Sequence, residues 1–301
     1  MENAALKNDL SQVSDRKSSE RTAVFSVDQI IEITKLIIYY TGFSKEGFLN
    51  IYKFLVPNML ETPLTYIARG NRKELNDITL KDQLFLTLCK LRNNFDLLDL
   101  AQRFSISTQT AGVIFTSWIN YMFLRFGEVA IWPHKHVIYE NMPDDYKKDF
   151  PNTFAILDCT EIKIQKPSSL KAQSQTYSDY KSSNTLKALV VTDPRGSVIF
   201  TSMLFSGSIS DKEIFIQSGL KKQLESLLEC EYLSTGDGLM ADKGFNIEEC
   251  VKSIGLKLNI PPFATSGQQM SENEVLFTRK IAKHRVHVER AIRRIKSFKN
   301  C

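Results

Sequence analysis

The sequence predicts an α-helical domain followed by an α/β domain that ends in a long basic helix. Apolar residues recur at helical spacing between residues 80 and 126. After Pro151 the pattern changes to short, β-branched runs separated by turns, which is typical of strands. The chain has 301 residues, 43% of them hydrophobic, which is enough for one large or two medium-sized globular domains.

The N-terminal part predicts a polar segment followed by two helices and a loop. Residues 1–24 are rich in serine and charge and have no apolar period, so we expect them to be disordered. Val27 to Tyr40 is apolar and helix-length, although its β-branched residues leave a strand open, and Gly42 ends it. A short helix is predicted from Phe48 to Leu55 and a polar loop from Leu64 to Asp77.

Three further helices complete the helical domain, which we place at residues 25–133. They are predicted from Leu80 to Leu91, from Phe95 to Phe104 and from Thr108 to about Phe123. Short helices joined by a tight turn, with Ser107 as N-cap, form a helix-turn-helix pattern over about residues 80–126. An ordinary three-helix bundle fits equally well.

If this segment binds DNA, the polar first turn of its last helix would meet base edges, whereas basic side chains would meet phosphates. The base-contacting candidates are Thr108, Gln109 and Thr110, and the phosphate-contacting candidates are Lys90 and Arg103.

The α/β domain is predicted to contain five strands. They are expected at Phe154 to Leu157, Ile162 to Gln165, Leu186 to Thr192, Val198 to Leu204 and Leu239 to Ala241. The turn from Asp193 to Gly196 suggests an antiparallel start to the sheet. Capping residues at Ser210 predict a helix to about Leu228, and a short helix at Asp144 to Phe150 precedes the strands.

Positive charge is concentrated in the last predicted helix, Ile281 to Phe298. Between Arg279 and Lys299, nine Lys and Arg residues accompany one acid, Glu289, giving a net +8 against +5 for the chain. The buried stripe of this helix is predicted to consist of Ile281, Val288, Ile292 and Ile295. Taken alone, Glu289 is predicted to be a surface residue paired with Arg285 and Arg293.

Two aspartates change this interpretation of Glu289. Asp158 follows a short apolar strand and shares its face with Thr160, and Asp242 directly follows another such strand. Since ligands in α/β sheets gather at strand ends, the three acids can converge on two Mg²⁺ or Mn²⁺ ions. Such ions activate an attacking oxygen for phosphodiester cleavage. The basic residues that would hold the DNA backbone are Arg285, Arg290, Arg293, Arg294 and Lys296.

Other acids compete with the two aspartates. Asp193 is explained by its turn and Asp211 by helix capping. Asp237 lies between two glycines and is the nearest rival as second aspartate. Glu161, on the opposite face of the same strand, is an alternative to Asp158 as the first acid of the site.

Histidine and cysteine patterns favour no metal site. His284 and His287 have no third nitrogen or sulfur ligand nearby, which favours phosphate contacts or surface positions. The five cysteines form no C-x-x-C pair and are typical of reduced thiols in an intracellular protein. No apolar run approaches the ~20 residues of a membrane span.

Six short motifs occur in a fixed order in the second half of the chain. They are D-C-T-E at Asp158, Gln175 to Lys187, G-S-I-S-D-K-E-I at Gly207, G-D-G-L-M-A-D-K-G-F at Gly236, I-P-P-F at Ile260 and R-V-H-V-E-R-A-I-R-R-I-K at Arg285. This ordered set resembles the Harbinger-type DDE transposases and the related DDE superfamily endonucleases. Residues 75–133 resemble the helix-turn-helix that precedes the catalytic domain in the same proteins.

The resemblance implies a ribonuclease H-like fold over residues 150–301 and a divalent-metal site for DNA cleavage and strand transfer. It assigns Asp158, Asp242 and Glu289 to an Asp-Asp-Glu triad. It also implies a nuclear location and allows a homo-oligomer and a Myb-like protein partner.

The chain departs from the family in two respects. It has no Cys/His pattern for the zinc-coordinating THAP domain of many relatives, and relatives continue beyond the glutamate helix. Without that C-terminal element, Val288, Ile292 and Ile295 are expected to be partly uncovered. Either the sequence is then a fragment or isoform, or its activity is compromised. The alternatives are a DNA-binding protein that no longer cuts and, more weakly, a phosphatase for small substrates, against which the basic helix argues.

Overall fold

The computed structural model describes residues 25–57, 78–129, 131–263 and 270–299, which divide into two units. Unit 1 comprises residues 1–129 with 297–301, and unit 2 comprises residues 130–296. The predictions for residues 1–24 and for the loop from Leu64 to Asp77 lie outside the described residues.

All secondary-structure elements described in unit 1 are helices. Its helices are α1 (Val27–Ile30), α2 (Thr34–Thr41), α3 (Lys45–Leu55), α4 (Leu80–Asn93), α5 (Leu97–Arg103) and α6 (Thr108–Gly127). The prediction of one helix up to Tyr40 is wrong, because the backbone is extended at Ile33 between α1 and α2. Several β-branched residues there lower the helix propensity. Gly42 ends α2 in the left-handed conformation, at φ +80°, as predicted.

The helix-turn-helix pattern is confirmed in α4 to α6. The side chain of Ser107 accepts a hydrogen bond from the Thr110 backbone amide and caps α6. The indole of Trp118 is fully buried and donates to Gln83 Oε1 at 3.0 Å, which ties α6 to α4. These contacts form a core within unit 1 that leaves the start of α6 at the surface.

Unit 2 contains a mixed sheet. Its described strands are β1 (Thr153–Lys163), β2 (Tyr177–Ser178), β3 (Ser183–Thr192), β4 (Val198–Thr201), β5 (Phe205–Ser206), β6 (Gly238–Met240) and β7 (Lys257–Asn259). β3 pairs antiparallel with β1, β2, β4 and β5, whereas β6 is parallel to both β1 and β7. The main order β4–β3–β1–β6–β7 is ribonuclease H-like: an antiparallel meander extended by two parallel strands.

The strand containing Asp158 is longer than predicted. The two runs expected on either side of Asp158 are parts of β1, which stays paired with β3 from Ile156 to Lys163. Asp158 therefore lies inside a strand, and its prediction as a strand-end residue is wrong. The predicted turn is confirmed: Asp193 accepts from the Gly196 amide, and Gly196 has φ +89°.

Seven helices of unit 2 are described. They are α7 (Lys135–Glu140), α8 (Asp144–Asp149), α9 (Leu170–Thr176), α10 (Asp211–Gln217), α11 (Leu220–Glu229), α12 (Glu248–Lys252) and α13 (Glu272–Ile295). The single helix expected to reach Leu228 is wrong, because Gly219 adopts φ +81° and separates α10 from α11. The basic helix α13 begins nine residues earlier than predicted, at a capping box formed by Ser271 and Glu274. Among the described helices, none is long and apolar enough to cross a membrane.

Helix α13 packs across β1 and β3. Ile281 and Val288 are fully buried and Ile292 is nearly so, whereas Ile295 is half-buried. The expectation that the stripe would be uncovered at Val288 and Ile292 is therefore wrong. The stripe joins the same core as the sheet.

Helix α8 anchors α13 through a buried histidine. His284 is only 2% exposed and lies 3.0 Å from Asp149 through its Nε2. The hydroxyl of buried Tyr146 donates to the His284 backbone oxygen at 2.8 Å. The prediction of a surface position or a phosphate contact for His284 is wrong, because α8 covers it. The anchor fixes α13 one residue before Arg285.

The pH dependence of this anchor is testable with Asp149→Asn. Hydrogen bonds from His284 and Lys280 lower the pKa of Asp149 to about 2, below the ordinary value of 3.8. The carboxylate therefore stabilises the fold above about pH 4, and this contribution is lost as pH falls towards 2. We expect the difference in unfolding free energy between wild type and variant to shrink over this range in urea titrations.

Asp145→Asn is the matched control. Asp145 pairs with Lys283, but both side chains are more than half exposed, so its removal should change stability less. A wild-type advantage over Asp149→Asn that stays constant down to pH 2.5 would contradict this account of the anchor.

Candidate metal centre

The register between β1 and β6 brings two aspartates together. The parallel pairing ends at Ile156 opposite Met240, and Asp158 and Asp242 each lie two residues beyond that pair. Positions two residues apart along a strand share a face, so the two side chains are expected to point to the same side of the sheet. β6 stops before Asp242, which then starts a turn by accepting from the Phe245 amide.

One guanidinium bridges the two carboxylates. Arg285 Nη2 lies 3.2 Å from Asp158 Oδ1, and Arg285 Nη1 lies 3.2 Å from Asp242 Oδ1. The Arg285 side chain is 11% exposed, that of Asp158 21% and that of Asp242 53%. Each of these oxygens also accepts a backbone amide, that of the residue following its own aspartate. Helix α13 therefore meets the two aspartates through Arg285.

The charges of the other two predicted acids, Asp242 and Glu289, act on Asp158. Burial raises the pKa of Asp158 to about 6, and the guanidinium of Arg285 opposes that rise. Repulsion by the carboxylates of Asp242 and Glu289 contributes to this raised value. Glu289 is exposed, one helical turn beyond Arg285 on α13. Its predicted surface pairing with Arg285 is wrong, because Arg285 binds the aspartates instead.

The chemistry of these groups fits a hard divalent cation. Carboxylate oxygens are the ligands that Mg²⁺ prefers, and mutually repelling carboxylates require a positive charge between them. Thr160 shares the strand face of Asp158, and its buried hydroxyl has no hydrogen-bond partner within the described chain. Among the described residues, however, no three His, Cys, Asp or Glu side chains are gathered closely enough to hold a metal. In this structure the positive charge comes from Arg285.

Asp237, the rival of Asp242, has a structural role. It is 8% exposed and accepts hydrogen bonds from the Ser234 amide and the Tyr139 hydroxyl, both at 2.7 Å. These bonds hold the loop before β6. They leave Asp242 as the acid at the end of that strand that meets Arg285.

The opposite face of β1 carries a separate polar cluster. Glu161 accepts from the Thr185 hydroxyl at 2.8 Å and faces Lys187 across the β1–β3 ladder. Lys187 lies 3.9 Å from Glu161 and 3.1 Å from Asp211. Sequence reasoning missed this cluster, because the pairing of Glu161 with Lys187 depends on the strand register. Glu161 therefore belongs to that face. The predicted capping role of Asp211 is wrong, because Ser210 is the N-cap of α10 and Asp211 binds Lys187 instead.

The predicted DNA-contacting residues of unit 2 lie on α13 or at its end. Arg290, Arg293, Arg294 and Lys296 are exposed, whereas Arg285 is directed to the aspartates. Partial desolvation, and then the nearby Lys181 ammonium, lower the pKa of Lys296. The carboxylates of Glu161 and then Asp158 act in the opposite direction on this pKa.

In unit 1 the first turn of α6 is accessible. Thr108 and Gln109 are exposed and Thr110 is half-buried. Arg103 binds Asp99 at 2.9 Å, and its guanidinium lies over the rings of Phe25 and Phe95. Lys90 donates to Asn94 Oδ1. The predicted phosphate contact of Arg103 would therefore require it to leave these partners.

The fold and the paired aspartates define a ribonuclease H-like protein with a helix-turn-helix ahead of it. Residues 157–301 match the family model described as DDE superfamily endonuclease, and residues 76–128 match the helix-turn-helix of DDE superfamily endonuclease. The two matches occur in the expected order and together cover more than half of the chain. The chain belongs to the Harbinger-type DDE superfamily endonucleases.

Two individual proteins show more distant similarity. "Putative nuclease HARBI1" of Xenopus laevis is 30% identical over 123 residues, which are 40% of this chain and 33% of that protein. The chain thus matches about a third of the length of this curated relative. The crystal structure of a pre-cleavage Mos1 transpososome contains a chain that is 11% identical to this one. The match covers 76% of this chain and 82% of that chain, with a TM-score of 0.25, and we base no argument on it.

The different roles of Asp237 and Asp242 predict different effects on stability. Asp237→Ala removes the acceptor of two hydrogen bonds and should cost about 1–3 kcal/mol of unfolding free energy. Asp242→Ala, its matched control, removes a half-exposed acid and should change stability by less than about 1 kcal/mol. Urea unfolding measures both. Greater destabilisation by Asp242→Ala would reverse the assignment.

Proposed function

We propose that this chain is a transposase-derived, metal-dependent DNA endonuclease and strand transferase whose triad is Asp158, Asp242 and Glu289. The observation that carries this proposal is the shared guanidinium of Arg285, which joins Asp158 and Asp242 on neighbouring strands. This pair lies in a domain of the DDE superfamily endonuclease family. Glu289 is near enough to raise the pKa of Asp158.

The three acids that would hold the metal lie on the sheet, at a turn and on a helix. Asp158 lies within β1, which is paired on one side along its length, so its position is rigid. Asp242 begins a turn, and Glu289 projects from a helix anchored by His284. When bound, two Mg²⁺ or Mn²⁺ ions would activate the attacking oxygen and stabilise the leaving oxygen of a phosphodiester.

The charge distribution supports DNA as substrate. The nine Lys and Arg residues between Arg279 and Lys299 give that segment a net +8. Phosphates are held mainly by such side chains. Exposed Thr108 and Gln109 at the start of α6 would contribute sequence preference through base edges. A DNA substrate favours a nuclear location, and the homo-oligomer and the Myb-like partner stay predictions.

A second candidate function is DNA binding without cleavage. The specific observation in its favour is that Arg285 occupies the aspartate pair, and that no three-acid cluster is gathered among the described residues. Such a protein would keep the helix-turn-helix and the basic helix.

Cleavage assays distinguish these functions. We expect the purified protein with Mg²⁺ or Mn²⁺ to nick or cut DNA duplexes that carry the terminal repeats of the transposable element from which the protein derives. Asp242→Asn should lower the cleavage rate by roughly a thousandfold or more, since residues that act as a unit fail together. DNA affinity, measured by fluorescence anisotropy, should fall little or not at all.

Asp144→Asn is the control, because Asp144 is an exposed acid at the start of α8. It should leave cleavage unchanged. Metal-independent cleavage would contradict the metal mechanism, and tight binding without cleavage by the wild type would favour the second function.

The two DNA-contacting surfaces predict different responses to substitution. Gln109→Ala should weaken binding to the preferred sequence by about 1–3 kcal/mol with little effect on unrelated DNA. Arg293→Ala should weaken binding to all sequences and lower the slope of log affinity against log salt by about 1. Anisotropy titrations at several salt concentrations measure both. If Gln109→Ala lowers the affinity for every DNA sequence equally, α6 is not the helix that recognises the DNA sequence.

A further inference from the structure

We propose that Arg285 is an internal counter-ion that competes with the divalent metal for Asp158 and Asp242. Metal binding then requires the guanidinium to leave, so that Arg285 sets the metal affinity of the site. The inference rests on the proposed function, since it assumes that these two aspartates bind metal.

The first step concerns space. Each Nη atom of Arg285 lies 3.2 Å from one aspartate oxygen, so the guanidinium spans the gap between the two carboxylates. A magnesium ion shared by the same oxygens would lie roughly 2.1 Å from each. Both cations cannot occupy that gap. Their charges also repel each other strongly in a site where Arg285 and Asp158 are mostly buried.

The second step concerns how firmly Arg285 is held. Its Nε atom is buried and has no hydrogen-bond partner within the described chain. An unsatisfied buried donor is costly, so the guanidinium is retained by charge and not by a complete set of hydrogen bonds. A side chain held in this way can be displaced by a stronger cation.

The third step concerns the folded protein without metal. Asp158 and Asp242 repel each other, and Arg285 compensates this repulsion. Arg285 is therefore a positioning residue that keeps the carboxylates together before metal binds. A phosphate of bound DNA would give the released guanidinium a new partner. Metal and DNA should then bind cooperatively.

The test measures Mn²⁺ affinity by electron paramagnetic resonance at about pH 8, where carboxylates are ionised. We expect Arg285→Gln to bind Mn²⁺ on the order of tenfold more tightly than wild type. Arg279→Gln, an exposed arginine on the same helix, should change this affinity less than about twofold. An Arg285 that merely supports the fold predicts the opposite sign, because its loss would loosen the site.

A thermal-shift measurement gives a second readout. Without metal, Arg285→Gln should melt below wild type, and saturating Mn²⁺ should raise its melting temperature by more than that of wild type. If Arg285→Gln does not fold, Arg285→Lys carries the test, because one ammonium cannot bridge both carboxylates as the guanidinium does. The Arg285→Lys variant should bind Mn²⁺ more tightly than wild type but less tightly than is expected for Arg285→Gln.

Cooperativity with DNA provides a third readout. Adding duplex should tighten Mn²⁺ binding to wild type by a larger factor than to Arg285→Gln, in which no guanidinium needs a new partner.

The outcomes separate this inference from the proposed function. Equal or weaker Mn²⁺ binding by the folded Arg285 variants, with Asp242→Asn losing the ion, overturns the competition but keeps the metal site. Equal binding by wild type and Asp242→Asn, or no binding by any variant, overturns the proposed metal site and this inference together.

Discussion

The repulsion between two neighbouring carboxylates is the constraint on which this site depends. The register of β1 with β6 sets Asp158 beside Asp242, and burial makes the charge on Asp158 costly. A cation beside the pair relieves this repulsion and favours the ionised carboxylates. Arg285 on α13 supplies it in this structure. The geometry of the candidate metal centre therefore depends on how α13 packs against the sheet.

The same helix is held by contacts outside the site. Tyr146 and Asp149 on α8 bind His284, and the buried stripe of α13 joins the core beneath the sheet. Because His284 immediately precedes Arg285, the anchor fixes where the guanidinium enters the site. Glu289 follows one turn later on the exposed side. One helix thus carries both Arg285, which meets the two aspartates, and Glu289, the third acid of the proposed triad.

Strand β1 separates structural from candidate functional acids by alternation. Asp158 and Thr160 point to the α13 side, whereas Glu161 on the other side is satisfied by Thr185 and lies near Lys187. The two acids lie only three residues apart, yet they meet different cations, Lys187 for Glu161 and Arg285 for Asp158, and each cation also binds a second acid. The hydroxyl of Thr160 lacks a partner on the same face as Asp158. Two of the four buried polar atoms without a partner in the described residues, Thr160 Oγ1 and Arg285 Nε, therefore lie at the proposed site.

Local chemistry in the sequence determined the helix-turn-helix, the cap at Ser107, the left-handed end at Gly42 and the turn at Asp193, because each depends on residues only a few positions apart. Ordered motifs identified the family and nominated Asp158, Asp242 and Glu289. Only the tertiary structure decided that β1 runs through Asp158, that α8 buries His284 and that Arg285 binds the aspartates. Arg285 and Asp158 are 127 residues apart, and their contact depends on strand register and helix docking. Such long-range partners leave no periodic or capping pattern in the sequence, because they are brought together only when the sheet and α13 pack.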